Sequence, residues 1–173
     1  MFGEWLRRVR QNHGLEHATI HVLEERKPRL RAGGRATERG FYLLAELADE
    51  SAVRAAAEEA LRRLRAGEHA LAVHPRCGTN LVATSLLSGA LALLGALAAG
   101  RRAPWFVQLP NAVLGAMVGA LLAQSSVGPW LQANVTTTAD VNDVRIRGVR
   151  STQIDDLTLH FVETEPASGS DKR

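Results

Sequence analysis

The chain has 173 residues, a formal net charge of +3 and a single cysteine, Cys77. This length accommodates one domain, or one small domain with membrane segments. The lone cysteine excludes an internal disulfide and fits a reducing compartment. The arginines are interspersed with glutamates, only 5% of the residues are aromatic and no nucleic-acid-binding motif is present, so we expect no nucleic-acid partner. The basic balance is more typical of charge placed near a membrane surface.

Residues 12–27, NHGLEHATIHVLEERK, predict an amphipathic helix that ends just before Pro28. Asn12 is the expected N-cap residue. Residues 2–10 mix aromatic and basic side chains, which suits either a membrane interface or a packed first helical turn. Residues 28–39 contain a Gly-Gly pair and several arginines, and this composition predicts a mobile loop.

The polar face of the first helix carries the pattern His13-x-x-Glu16-His17, which is the H-x-x-E-H spacing of inverzincins. Two histidines at positions i and i+4 can bind one zinc ion from the same side of a helix. A glutamate beside the second histidine can act as a general base towards a metal-bound water. His21 extends the same face, although a solvated polar face remains the simpler alternative.

Residues 40–74 alternate between strand and helix patterns. Residues 40–47, GFYLLAEL, predict a strand, and either Asp49 or Ser51 caps a following helix that stops at Gly67. Residues 69–75, HALAVHP, predict a second strand. The three elements form a β-α-β unit, whose two strands are expected to be parallel.

The C-terminal part of the chain predicts a β-hairpin. Residues 141–149 and 157–163 alternate apolar and polar side chains, and the two aspartates between them favour a turn. We expect this hairpin to join the sheet of the β-α-β unit. Residues 166–173, PASGSDKR, are expected to be disordered.

Between these parts lie two uncharged apolar segments, residues 81–99 and 106–124. Each is long enough to span the hydrocarbon core of a bilayer. Gly115 and Gly119 form a G-x-x-x-G pattern that allows close packing of the two helices. A buried helical hairpin within a soluble fold is the alternative, but little other chain is available to cover so many apolar residues.

Two spans place both termini on the same side of the membrane. Arginines near the spans are more numerous on the terminal side than in the connecting loop, which holds Arg101 and Arg102. The positive-inside rule therefore predicts that the terminal side is cytoplasmic, in a multi-pass protein of the bacterial inner membrane.

The predicted fold class is an α+β cytoplasmic module with an inserted two-helix transmembrane hairpin. The module consists of the histidine-rich helix, the β-α-β unit and the C-terminal hairpin. The predicted divisions of the chain are residues 1–80, 81–124, 125–165 and 166–173.

Two further polar stretches flank the apolar segments. In residues 74–80, His74 and Cys77 are candidate metal ligands, and Arg76 is a candidate for binding a carboxylate or polarising a carbonyl. Taken singly, His74 as a strand-end residue and Cys77 as a small buried hydrophobe are the simpler readings. Residues 128–138 hold Gln, Asn and Thr side chains that are more polar than the exit of a span requires, although taken singly they are more simply read as capping and turn residues. Both stretches emerge from the same end of the helical hairpin and are expected to converge.

Three motifs, HGLEHATIHVL, HPRCGTN and GPWLQANVTT, occur in this order around the two spans. They resemble the YqhQ-like predicted metal-dependent membrane enzymes (domain of unknown function 1385). With GFYLLAEL and the Ala-rich helix after it, the chain resembles the related domain of unknown function 6391 more closely. The resemblance covers most of residues 10–140 and implies a metal site. The residues on motif positions are His13, Glu16, His17, His74, Arg76, Cys77, Gln132 and Thr136; His21 is not among them.

The leading hypothesis is a membrane metal-dependent hydrolase, peptidase-like, that acts on a membrane-protein or peptide substrate beside the lipid bilayer. His13 and His17, with His74 or Cys77, bind Zn²⁺ or another divalent metal. In this hypothesis Glu16 is the general base and Arg76 stabilises an oxyanion or holds the substrate. The alternative is a non-catalytic metal-binding or partner-positioning protein, such as a transporter accessory subunit, which would have to oligomerise to transport. A third reading is a structural membrane anchor.

Overall fold

The computed structural model describes residues 2–46 and 49–167. The described residues form two compact units, residues 2–74 with 133–167 and residues 75–132. The first unit contains α1 (Phe2–Arg26), β1 (Ala32–Thr37), β2 (Gly40–Ala45), α2 (Glu50–Arg65), β3 (Val144–Ile154) and β4 (Leu157–Pro166). The second unit contains α3 (Gly78–Ala98), α4 (Trp105–Leu122) and a helical turn, Gly128–Leu131. The α+β class of the prediction is confirmed.

The four strands form one antiparallel sheet in the order β1-β2-β4-β3. The predicted C-terminal hairpin is confirmed, because β3 and β4 pair with Ile154 opposite Leu157 around a two-aspartate turn. Asp155 has a positive φ of 51°, a conformation that Asp tolerates better than most residues. The hairpin joins the remaining strands through β4, which pairs with β2.

The predicted parallel β-α-β unit is wrong. α2 ends in a Schellman motif, in which Gly67 has φ of 99° and its amide donates to the Leu64 carbonyl at 3.1 Å. The next residues, His69–Ala72, form a 3-10 turn rather than a strand. The main-chain carbonyls of Ala72 and Val73 accept hydrogen bonds from histidines of α1. This segment therefore pairs with α1 and not with the sheet.

The prediction of a mobile loop at residues 28–39 is also wrong for residues 32–37. β1 lies there and pairs with β2 from Ala32 opposite Ala45 to Thr37 opposite Gly40. The hairpin closes through Gly40, whose φ of 144° is strained for residues with a side chain. The glycine-rich sequence of β1 does not by itself predict a strand, and pairing with the backbone of β2 makes it one.

α1 begins at Phe2, so the lead-in and the histidine-rich segment are one continuous helix. Asn12 is therefore not an N-cap residue. Its amide donates to the Thr37 carbonyl at 2.7 Å, and its side-chain oxygen accepts from the Thr164 hydroxyl at 2.7 Å. These bonds join α1 to β1 and β4. At the other end of the chain Pro166 completes β4 instead of starting a disordered tail, and residues 168–173 lie outside the described residues.

α1 and α2 pack on one face of the sheet, and their apolar stripes form the core of the first unit. α2 is capped by Asp49, whose carboxylate accepts from the Ser51 amide at 2.8 Å, as predicted. The fully buried apolar residues of this core include Leu15, Ala18, Phe41, Leu43, Val53, Ala57 and Val162. Alternate residues of β2 point to this core, which follows from the two-residue period of a strand.

The second unit is an antiparallel pair of apolar helices. A Cβ atom at Gly115 would collide with the Leu91 carbonyl, and one at Gly119 would lie 2.7 Å from the Ser88 Cα. The predicted close approach at the G-x-x-x-G pattern is thus present. Pro110 lies inside α4. Among the described residues, α3 and the helical run Trp105–Thr136 are long and apolar enough to cross a membrane.

Candidate metal centre

The polar side of α1 is organised by the helical period. His13, His17 and His21 recur every fourth residue, and Glu24 follows within the next turn. His74 packs against these residues, and the five side chains are called here the histidine face. Ring centroids are 4.4 Å apart for His13 and His17, 5.8 Å for His17 and His74, and 4.8 Å for His74 and His21. The structure therefore brings four imidazoles into one continuous run within the first unit.

Two of these rings are oriented by main-chain carbonyls. His13 Nδ1 lies 2.9 Å from the carbonyl oxygen of Thr136, and His17 Nδ1 lies 2.8 Å from that of Ala72. A carbonyl oxygen only accepts, so each Nδ1 carries the hydrogen and donates it. In the neutral ring the lone pair is then on Nε2. This arrangement, with one nitrogen donating to the protein and the other carrying the lone pair, is typical of metal-ligating histidines.

The next turn of the helix holds a second group. His21 Nε2 donates to the Val73 carbonyl at 3.0 Å, so the lone pair of its neutral ring is on Nδ1. His74 Nε2 lies 3.6 Å from Glu24 Oε2. One ligand atom each from His21, Glu24 and His74 lies within 4.8 Å of the other two.

His74 is the most buried end of this second group, with a side chain only 4% exposed. Burial is the main cause that lowers its pKa to about 4, and a positive charge on His21 or His17 would lower it further. The Glu24 carboxylate opposes this shift without cancelling it. The His74 ring is therefore neutral at pH 7, which is the form that binds metal ions.

Glu16 is a buried residue of α1 next to β1. It is 4% exposed, and its Oε1 atom lies 2.7 Å from the place that a Cβ atom would occupy on Gly34 of β1. Its carboxylate thus fills the space left by the missing side chain of that glycine. On a helix this position is about 100° away from His17. Its predicted role as a general base stays a prediction.

Several residues of the motifs belong to the second unit. Cys77 is the N-cap of α3, and its sulfur accepts from the Thr79 amide at 3.4 Å. Gln132 donates to the side-chain oxygen of Asn80 at 2.8 Å, and Asn80 in turn donates to the Pro75 carbonyl at 2.8 Å. In these contacts Cys77 caps α3, and Asn80 and Gln132 hydrogen-bond to each other at the ends of the apolar helices. The metal-ligand role of Cys77 and the substrate role of Arg76 stay predictions.

Two features of the histidine face were not predicted as part of the site. The first is the joint placement of His21 and Glu24 with His74, although their spacing on the helix was visible in the sequence. The second is the pair of carbonyls at Ala72 and Val73, which no local pattern reveals because it depends on the return of the chain after α2.

Comparison with known proteins gives a family and a relative. Residues 8–149 match the model of the family described as domain of unknown function 6391. The chain is 34% identical over 150 residues to an uncharacterized protein of Picosynechococcus sp., an alignment that covers 78% of this chain and 68% of that protein. No solved structure matches the chain. The predicted resemblance to domain 6391 is confirmed, and the resemblance to the YqhQ-like proteins stays a prediction.

Proposed function

The chain belongs to the family described as domain of unknown function 6391, and we propose that it is a membrane-associated protein that binds a divalent metal ion on the histidine face of α1. One observation carries the proposal. His13 and His17 lie one turn apart with ring centroids at 4.4 Å, and both donate their Nδ1 hydrogen to a main-chain carbonyl. Both rings are thereby held with Nε2 as the nitrogen that can bind a metal.

The chemistry of this pair favours zinc. Imidazole nitrogens are preferred ligands of Zn²⁺, and two of them at positions i and i+4 of a helix reach one ion from the same side. His17 is 2% exposed and His13 is half-buried. An ion bound by both would lose much of its hydration, so its ligands must compensate for that loss. The ligand roles of His74 and Cys77 at this pair stay predictions.

The membrane part of the proposal rests on α3 and the run Trp105–Thr136. Their large apolar side chains are mostly exposed; Leu86 and Leu121 are 70% and 69% exposed. Exposure of such a surface to water is unfavourable, whereas the hydrocarbon core of a bilayer would cover it at no such cost. Together with the arginine distribution, this supports a multi-pass inner-membrane protein whose termini are cytoplasmic.

Hydrolysis of a membrane protein or peptide remains the proposed activity. Bound zinc would supply an activated water as nucleophile. This activity needs a general base near the metal, and the proposed candidate is Glu16. The position of its carboxylate beside Gly34 is the observation behind the second candidate function, non-catalytic metal binding, in which Glu16 only packs against β1.

Metal content of the full chain, purified in detergent and dialysed against Zn²⁺, tests the proposal. The double variant His13→Ala/His17→Ala should bind one zinc equivalent fewer than the unsubstituted protein. The control is His69→Ala, because His69 is an exposed histidine of the same unit. A folded double variant, judged by circular dichroism, that retains the full zinc content would contradict the proposal.

The role of the metal is tested by one further substitution. Glu16→Gln removes the carboxylate and keeps the size of the side chain. If the protein is a hydrolase with Glu16 as base, this variant keeps its zinc and loses cleavage of a peptide or membrane-protein substrate. If Glu16 only packs against β1, the variant keeps its zinc and any hydrolytic activity.

A further inference from the structure

We infer that His21, Glu24 and His74 form a second metal-binding site, one to two helical turns beyond the pair His13 and His17. This site goes beyond the proposed function, since it uses two residues of α1 that the first pair does not. It also gives His74 a place in the second site rather than the first.

The geometry of the three side chains is close to that of a bound site. A tetrahedral zinc ion with ligands at about 2.1 Å holds its ligand atoms about 3.4 Å apart. Here His74 Nε2 and Glu24 Oε2 are 3.6 Å apart, and the three ligand atoms lie within 4.8 Å of one another. Small side-chain rotations would therefore suffice to bring all three onto one ion.

The orientation of His21 supports the same conclusion. Because its Nε2 hydrogen is donated to the Val73 carbonyl, the nitrogen that can bind a metal is Nδ1. Val73 directly precedes His74, so the same short segment orients one ligand through its carbonyl and supplies another through its side chain. Such a second contact to the protein is what holds metal-binding imidazoles in place.

Distance along the helix separates this site from the first pair. The midpoint of His13 and His17 and the midpoint of His21 and Glu24 are about 11 Å apart along the axis, at 1.5 Å per residue. One ion cannot bridge that distance with ligand bonds of about 2 Å. Glu24 is 25% exposed while His74 is 4% exposed, so an ion can enter from the Glu24 side.

The ligand set indicates the class of metal. Two imidazoles and one carboxylate form the set of catalytic zinc sites and of the facial triad of non-haem iron, both of which keep open positions for water or substrate. The second site is therefore expected to accept Zn²⁺, Fe²⁺ or Mn²⁺ with exchangeable water. A carboxylate ligand makes it the harder of the two sites, so Mn²⁺ should compete better here than at the His13 and His17 pair.

The experiment is calorimetric titration of the full chain in detergent with Zn²⁺ after removal of metal by chelator. Two zinc equivalents are expected. His21→Gln and Glu24→Gln should each lose one equivalent or bind it at least tenfold more weakly. The matched control is Glu25→Gln, because Glu25 is the next residue of α1 and its carboxylate pairs with Arg63 at 2.8 Å instead of joining the histidine face.

Each outcome of the titration either supports or overturns the second site. Two equivalents that fall to one in His21→Gln and Glu24→Gln but not in Glu25→Gln support the site. Zinc binding that neither His21→Gln nor Glu24→Gln changes overturns it, as does an equal loss in Glu25→Gln, which would show a general effect on α1. If His13→Ala/His17→Ala keeps all its zinc while His21→Gln loses one equivalent, the proposed function fails and the second site stands.

Discussion

The two units of this chain use their helices in opposite ways. In the first unit α1 buries polar side chains, among them Asn12 and His17, and each of these is hydrogen-bonded to a main-chain carbonyl. In the second unit α3 and α4 bury little and expose large apolar side chains such as Leu86 and Leu121. The first unit therefore hides polar groups from water, whereas the second presents apolar groups to its surroundings.

This difference shows what stabilises each unit. Buried polar groups are tolerated only when they are hydrogen-bonded, so the first unit depends on the protonation and placement of particular side chains. The second unit contains no Asp, Glu, His or Lys between residues 75 and 132. Its helices are joined by close backbone contact at glycines, which is the packing used between helices in bilayers. Acid should therefore affect the first unit, and an added methyl group at the helix contact should affect the second.

The largest effect is expected from acid on the metal-free first unit. The pKa of His74 is about 4 in the folded protein and 6.5 in an unfolded chain. Above pH 6.5 the ring is neutral in both states. Between pH 6.5 and 4 the unfolded chain binds the proton first, so the free energy of unfolding should fall by about 3 kcal/mol, with the loss complete below about pH 4. Urea unfolding at pH 7 and at pH 4.5, monitored by pulsed hydrogen exchange of the α1 amides, measures this loss.

Two variants locate this acid sensitivity. His74→Gln removes the titrating ring and should flatten the pH dependence between pH 6.5 and 4. His69→Gln changes an exposed histidine on the 3-10 turn and should leave the dependence unchanged. An equally steep loss of stability in His74→Gln would show that the acid sensitivity does not come from the His74 ring.

The next effect is expected in the second unit. Gly115→Ala places a Cβ atom against the Leu91 carbonyl, so α3 and α4 must move apart. We expect a loss of about 2 to 3 kcal/mol in the stability of the helix pair. Thermal unfolding of the protein in lipid nanodiscs, followed by circular dichroism, measures it.

Gly89→Ala is the matched control, because no described atom lies within 4 Å of a Cβ at that position of α3. It should be neutral or slightly stabilising, since Ala is the better helix former. Equal destabilisation by both variants would show that the G-x-x-x-G contact does not hold the pair together. Neither variant should change the acid sensitivity of the first unit.

The parts of the site that follow a local period could be predicted from the sequence. His13, His17 and His21 recur every fourth residue, so a helix alone places them on one face. The apolar segments could equally be predicted, because their length and absence of charge suffice to identify them. For both, neighbouring residues along the chain carry the whole signal.

The parts that depend on distant residues could not be predicted. Residues 69–75 alternate like a strand, yet the carbonyls of Ala72 and Val73 bind side chains of α1 more than fifty residues earlier in the chain. β1 contains few residues that favour strands, and only pairing with β2 makes it one. The place of Glu16 was missed for the same reason, since it is set by a glycine of β1.

The smallest effect is expected at this contact of Glu16. Gly34→Ala places a Cβ atom against the Tyr42 carbonyl and 2.7 Å from Glu16 Oε1, so both the strand and the carboxylate must move. β1 lies at the edge of the sheet and can shift, which limits the expected loss to about 1 to 2 kcal/mol. Gly33→Ala is the control, because no described atom lies within 4 Å of its Cβ position. Chemical denaturation at pH 7 compares the two variants.

Because Glu16 is displaced while the histidines keep their carbonyl partners, Gly34→Ala should retain its zinc. Loss of zinc in Gly34→Ala but not in Gly33→Ala would instead show that the Glu16 carboxylate takes part in binding the metal.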